Sequence, residues 1–280
     1  MAPLLAVARA TWTGVVNRPL YYVTLLVFGA MISLSPLVTL FQFTKEAQLI
    51  REMAVATMTL WGLLLVTVLA GNLVTNELED RTALLLLSKP LRRSSFLLGK
   101  LFGMVWAQAM GVAFLSMVFF LTLWIHQGMD HAERYSTLET GDAWSFLWER
   151  HLSRTSAFVA QAGILCVYQL GILSALCLCM AAFFPVIVTI SATALLFILG
   201  NVSTHFVANL QSSSPGIVSG SAKFLSYLLP NLGYFNLQVH FGEGSPVSLN
   251  YLLLAGGYTI IYVGAVIWFA SLIFETREVR

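Results

Sequence analysis

An all-α polytopic membrane protein is the fold class that this sequence predicts, and three observations predict it. Of its 280 residues, 58% are hydrophobic and only 10% charged, with a mean hydropathy of +0.81, where soluble domains carry about 25% charged residues. Apolar runs long enough to cross a bilayer, which takes about 20 residues, recur along the chain. The longest, between Arg154 and Lys223, contains no Lys, Arg, Asp or Glu and at about 1.5 Å per residue is too long for one crossing, so it must turn back. The expected architecture is one domain, residues 1–280, with six transmembrane helices. An N-terminal interfacial helix, a surface helix between spans two and three, and a re-entrant or interfacial element before span six complete it.

In order, residues 3–17 place Arg9, Thr13 and Asn17 at four-residue spacing among apolar residues, the pattern of an amphipathic helix lying in the interface. Spans one and two are expected at 20–43 and 53–74, with Pro36 as a kink and a polar link between them. Span three is expected at 96–125. The connection 126–155 carries five acids against three arginines, and Trp144, Leu147, Trp148 and Leu152 share one face of a short interfacial helix. Spans four and five, at 156–183 and 185–206, meet at Phe183-Phe184-Pro185. Residues 224–238 are apolar but broken by Pro230 and Gly233, hence re-entrant or interfacial. Span six covers 251–274.

The charge-dense stretch lies between spans two and three. Residues 77–90 read as a surface helix opened by Glu77, Glu79, Asp80 and Arg81, which sets acids at the positive end of its dipole. Thr82 and the following leucines, Leu85 among them, form an apolar body, and Lys89-Pro90 closes it because proline removes a backbone donor and biases its predecessor away from the helix. After Arg92-Arg93, Ser94 or Ser95 caps the next helix. On the residues alone, a solvated basic loop fits as well.

The order E-x-x-D-R-T, a leucine run, K-P-x-x-R and F-L-L-G-K resembles the segment between the second and third spans of type-2 ABC exporter permeases. The resemblance is strongest to the branch that includes permeases linked to copper-enzyme maturation and gliding motility. N-R-P-L-Y-Y after residue 16 is similar to the end of that family's elbow helix, and P-N-x-x-Y-F-N to the element before its last span. The resemblance implies that 77–90 is a coupling helix seated in a groove of a separate cytoplasmic ATPase, two copies of which serve two copies of this chain. It implies polar contacts there from Glu77, Glu79, Asp80 and Arg81, with Thr82, Leu85, Lys89, Pro90 and Arg93 in the same contact. Arg92 and Lys100 would meet lipid phosphate or the ATPase rim. ATP and magnesium would be bound by the partner, leaving this chain without a cofactor.

Six spans put both termini on one side, together with nine basic residues (Arg9, Arg18, Arg81, Lys89, Arg92, Arg93, Lys100, Arg277 and Arg280) against six on the other. That bias favours termini in the cytoplasm, and the expected location is the cell (inner) membrane. A formal net charge of +2 gives no reason to expect nucleic acid. The chain shows no G-x-x-x-x-G-K-[ST], G-x-S-x-G or H-E-x-x-H, so it is expected to be a transport subunit and not an enzyme. Cys166, Cys177 and Cys179 read as helix packing, and the five histidines as scattered polar groups in place of a metal site. Asn72, Gln108, Asn201, Ser203 and Thr204 are the polar groups available along a route for cargo. The function expected is an exporter permease with 126–155 open to an extracytoplasmic protein; the alternative is a membrane scaffold or mechanotransmission subunit that moves no substrate.

Overall fold

The computed structural model describes residues 2–39, 46–70, 93–135, 143–181, 183–213, 230–236 and 247–276. Seven α-helices occupy them: α1 (Ala2–Val16), α2 (Pro19–Thr39), α3 (Glu46–Leu65), α4 (Arg93–Tyr135), α5 (Ala143–Ala181), α6 (Val186–Ser213) and α7 (Leu249–Thr276). A π-helical turn, Val66–Ala70, prolongs α3, and a short 3-10 turn, Leu232–Phe235, precedes α7. No strand occurs among the described residues. Among the described residues, five stretches are long and apolar enough to cross a membrane: Pro19–Leu37, Gln48–Val68, Ser95–His126, Thr155–Ala181 and Leu249–Leu272. The fifth of the six expected spans corresponds to α6, whose apolar stretch among the described residues is the shorter Val186–Val202.

Two boundaries differ from those expected. The expected polar link before span two is helical from Glu46 onward, where Gln48 Nε2 donates to Glu52 Oε1 one turn on at 2.8 Å and the Arg51 guanidinium lies 5.4 Å from the Phe158 ring centroid. The separate interfacial helix expected around Trp144 to Leu152 is instead the first turns of α5, a continuous helix of 39 residues. No proline interrupts 144–181, so nothing stops the helix there. At 43 and 39 residues, α4 and α5 extend about 64 and 58 Å at 1.5 Å per residue. The turn between α5 and α6 falls at Phe183-Phe184-Pro185, as expected, with the Phe183 and Phe184 amides both donating to the Met180 carbonyl at 3.0 Å.

The core is built around α5, whose residues 169–179 are all buried. It packs on α4, α7, α6 and α3, while α2 packs on α3 and α4. Small residues let these helices approach: Gly62 of α3 lies against Leu170, and Gly111 of α4 against the Trp61 ring. The buried Trp61 donates from Nε1 to Thr24 Oγ1 at 3.3 Å and meets Tyr21 edge-on. Between α4 and α5, Ser174 Oγ accepts from Gln108 Nε2 at 2.9 Å. The single Ser174 hydroxyl proton faces the Leu170 carbonyl at 2.7 Å and Gln108 Oε1 at 3.0 Å.

Gln108 is therefore committed to an interhelical bond and is buried, which removes it from the groups that face a route for cargo. Ser174→Ala, by stranding the Gln108 amide, is expected to destabilise the chain by about 1–3 kcal/mol. Gln108→Leu with Ser174→Ala should recover most of that loss, because neither polar group is then left unpaired. Thermal unfolding followed by tryptophan fluorescence checks the pair.

Candidate functional site

The coupling residues expected from the sequence, Glu77, Glu79, Asp80, Arg81, Thr82, Leu85, Lys89, Pro90 and Arg92, lie outside the described residues, as does Asn72. Arg93 is the first residue of α4, its side chain outside the description. What the structure describes is the frame that receives this segment: the π-helical end of α3 before it, the start of α4 after it, and α1 packed alongside.

The start of α4 carries small residues every fourth position, Gly99, Gly103, Ala107 and Gly111. An added Cβ at Gly99 would lie 2.8 Å from Val7 Cβ and 3.1 Å from the Leu4 carbonyl oxygen. At Gly103 it would lie 2.5 Å from the Ala8 carbonyl oxygen and 2.7 Å from Thr11 Cβ. The two glycines thus bring α1 to near backbone contact, the close approach that G-x-x-x-G spacing permits. One turn further, Tyr21 donates its hydroxyl to the Ala107 carbonyl at 2.9 Å, so the first turn of α2 is tied to the same stripe. Leu5 and Arg9 of α1 remain exposed, while Thr11 and Val15 are buried.

Lys100 lies on the same turn as Gly99. Expected as a contact to lipid phosphate or an ATPase rim, it is only 3% exposed, with Nζ 4.9 Å from the Phe96 ring centroid. Its aliphatic stem contributes packing and its ammonium is held against an aromatic face. Among the described residues, Trp12 Nε1 is the one buried side-chain donor without a hydrogen-bond partner.

At the end of α3 the hydrogen-bond register changes. Thr67 Oγ1 reaches back to the Leu63 and Leu64 carbonyls at 2.9 and 3.1 Å, and Cys177 Sγ of α5 donates to the Val66 carbonyl at 3.7 Å. Val66 and Thr67 are buried, and the π-helical turn contacts both α5 and α6.

At the opposite end, the 3-10 turn is wedged against α5 and α6, with Leu232 and Phe235 buried. Pro230 and Leu232 close over Gly200, where a Cβ would lie 2.8 Å from the leucine side chain. Asn231 caps the turn through Oδ1, which accepts from the Gly233 amide at 3.2 Å, and its own amide donates to Tyr258 Oη at 3.1 Å. The Tyr251 hydroxyl donates to the Tyr234 carbonyl. Tyr258 is nine residues into α7, about 13 Å along it, so the turn reaches below the start of that helix. Of the expected element 224–238, residues 224–229 and 237–238 lie outside the described residues.

Gln161 of α5 clamps the approach to α7. Its Nε2 donates to the Val247 carbonyl at 3.0 Å and its Oε1 accepts the Val247 amide at 2.8 Å. A backbone unit outside regular structure is thereby paired on both sides, which apolar surroundings demand. Gln161→Leu should lower stability by roughly 1–3 kcal/mol, with Gln161→Glu intermediate because it keeps only the acceptor. Thermal unfolding of the two variants separates them.

No group of three His, Cys, Asp or Glu side chains that would hold a metal occurs among the described residues, and the three cysteines are buried, free and unpaired with one another. Asn201 donates to the Phe197 carbonyl of its own helix at 2.9 Å. His126 is buried; the other histidine side chains lie outside the description, as do Ser203 and Thr204. Sequence reasoning quoted Gly99-Lys100 but missed its pairing with Gly103, although the four-residue spacing of glycines was the available signal. The π-helical turn and the Gln161 clamp carry no such signal.

No protein-family model matches the sequence, and no curated protein matches it. The fold and these sites define an all-helical chain of the membrane-protein class, with five candidate spans and a charge-dense segment joining two of them.

Proposed function

We propose that this chain is the membrane subunit of an ATP-driven exporter, moved by a separate ATPase through residues 77–90. The observation that carries the reading is the position of the Glu77–Lys89 charge pattern: it joins two candidate spans, α3 and α4, and returns to the stretch of α4 on which α1 is clamped. A displacement of that segment acts on α4, which packs against α1, α2, α3, α5 and α7. A push there reaches most of the bundle as a rigid-body movement.

In this reading α6 is the fifth of six spans, both termini are cytoplasmic, and the chain works as a dimer in the cell (inner) membrane with two ATPase copies below. Glu77, Glu79, Asp80 and Arg81 make the polar contacts at the ATPase groove and Leu85 packs into it. ATP and magnesium are held by the partner. Gln108 and Lys100, both buried, hold the bundle together instead of touching cargo or partner.

The reading is tested by purifying the tagged chain in mild detergent from its native membrane and assaying the eluate for ATP hydrolysis. A copurifying ATPase supports it. Repeated elution without one, in several detergents, favours the scaffold reading.

A further inference from the structure

We infer that the π-helical turn Val66–Ala70 is a two-register joint through which movement of residues 71–92 enters the bundle; the source of that movement rests on the exporter reading. A π-helical turn holds one more residue per turn than an α-helix, so its carbonyls lose the usual i+4 partners at the junction, and such turns recur at functional positions. Here the carbonyls at the junction have taken side-chain donors. Thr67 Oγ1 serves Leu63 and Leu64, and the Cys177 thiol serves Val66. The turn is thus tied back to α3 by its own Thr67 hydroxyl and to α5 by one thiol. The thiol is a weak donor beside a backbone amide, which suits a register that must change.

The consequences of a change follow from helix geometry. Converting the turn to α register shifts the chain beyond it by one residue, about 100° of rotation and 1.5 Å of rise. The turn is not free to do this alone, because Val66 and Thr67 are buried and the segment is packed by α5 and α6. Thr193 of α6 also lies beside the Cys177 thiol. A register change breaks the Cys177 bond and displaces the end of α5 next to the Phe183-Phe184-Pro185 hairpin. The joint therefore links a movement before α4 to the α5–α6 pair, which α4 reaches by a separate set of contacts.

Deleting Val68 removes the additional residue while leaving the faces on either side aligned, so it locks the joint in α register. The test is hydrogen–deuterium exchange of the full-length chain in lipid nanodiscs. In the wild type, amides 66–70 are expected to exchange at least about tenfold faster than amides 58–65, a difference of about 1.4 kcal/mol in opening free energy. The deletion should bring them to the slower rate.

Equal rates in the wild type, or fast exchange that persists after the deletion, would overturn the joint. If the deletion variant does not fold, Thr67→Val and Cys177→Ala supply the contrast: each should raise exchange at 66–70 severalfold and leave 58–65 unchanged. An unchanged rate in both variants would equally overturn it. Adding ATP and vanadate to the copurified complex separates the two ideas. A joint with the expected exchange pattern but no nucleotide response counts against the exporter reading alone, whereas a nucleotide response elsewhere in the chain that bypasses 66–70 counts against the joint.

Discussion

Gly103→Leu is expected to abolish the accumulation of folded protein. The first added carbon falls 2.5 Å from the Ala8 carbonyl oxygen, a backbone atom that cannot rotate away, and three further carbons must be placed between α1 and α4. Inserted methylenes in a packed core cost about 1–3 kcal/mol even where side chains can shift. Here the whole of α1 has to separate from α4, which removes a large share of a total stability of about 5–15 kcal/mol. Gly99→Leu should be less severe, since its nearest atoms belong to the Val7 side chain, and Val7→Gly should relieve part of the loss. The measurement is the folded fraction by size-exclusion chromatography and the unfolding midpoint of each variant. Equal tolerance of leucine at both positions would show that α1 does not sit on α4 as described.

Glu79→Ala combined with Arg81→Ala is expected to have the opposite profile: intact protein and lost coupling. Neither residue belongs to an apolar run, and in the exporter reading both face the ATPase, so their removal is expected to change stability by no more than about 0.5 kcal/mol. If the pair meets the ATPase groove, removing both charges takes away directional polar contacts through which closure of the ATPase moves α3 and α4. Stimulated hydrolysis in the copurified complex should fall at least about tenfold, equivalent to about 1.4 kcal/mol of coupling. The unfolding midpoint should stay where it was. A variant that loses its fold would instead mark the two charges as structural.

How much was legible in the sequence differs by element. Five of the six expected spans followed from hydropathy, because the bilayer imposes a length on apolar runs, and the α5–α6 turn followed from Phe183-Phe184-Pro185, where proline interrupts the backbone ladder. The early start of α3 did not, since Gln48 and Glu52 read as polar loop until their mutual bond one turn apart is known. Nor did the merging of Trp144 to Leu152 into α5, because an amphipathic pattern marks a face but not whether the helix continues. Lys100 read as a surface cation, yet it is buried with its ammonium over the Phe96 ring. The π-helical turn was invisible: the partner of its Val66 carbonyl is Cys177, 111 residues away in the chain, and residue type at 66–70 does not announce the turn.

Site-specific photo-crosslinking from Leu85 tests the coupling assignment most directly. A benzophenone amino acid is placed at Leu85, and a second at the exposed Ile261 of α7 serves as the control. Irradiated native membranes are then searched for adducts. The exporter reading predicts that Leu85 captures a nucleotide-binding polypeptide, more strongly or more weakly when ATP and vanadate are present, and that Ile261 does not. Adducts to lipid alone at both positions, unchanged by nucleotide, would contradict it.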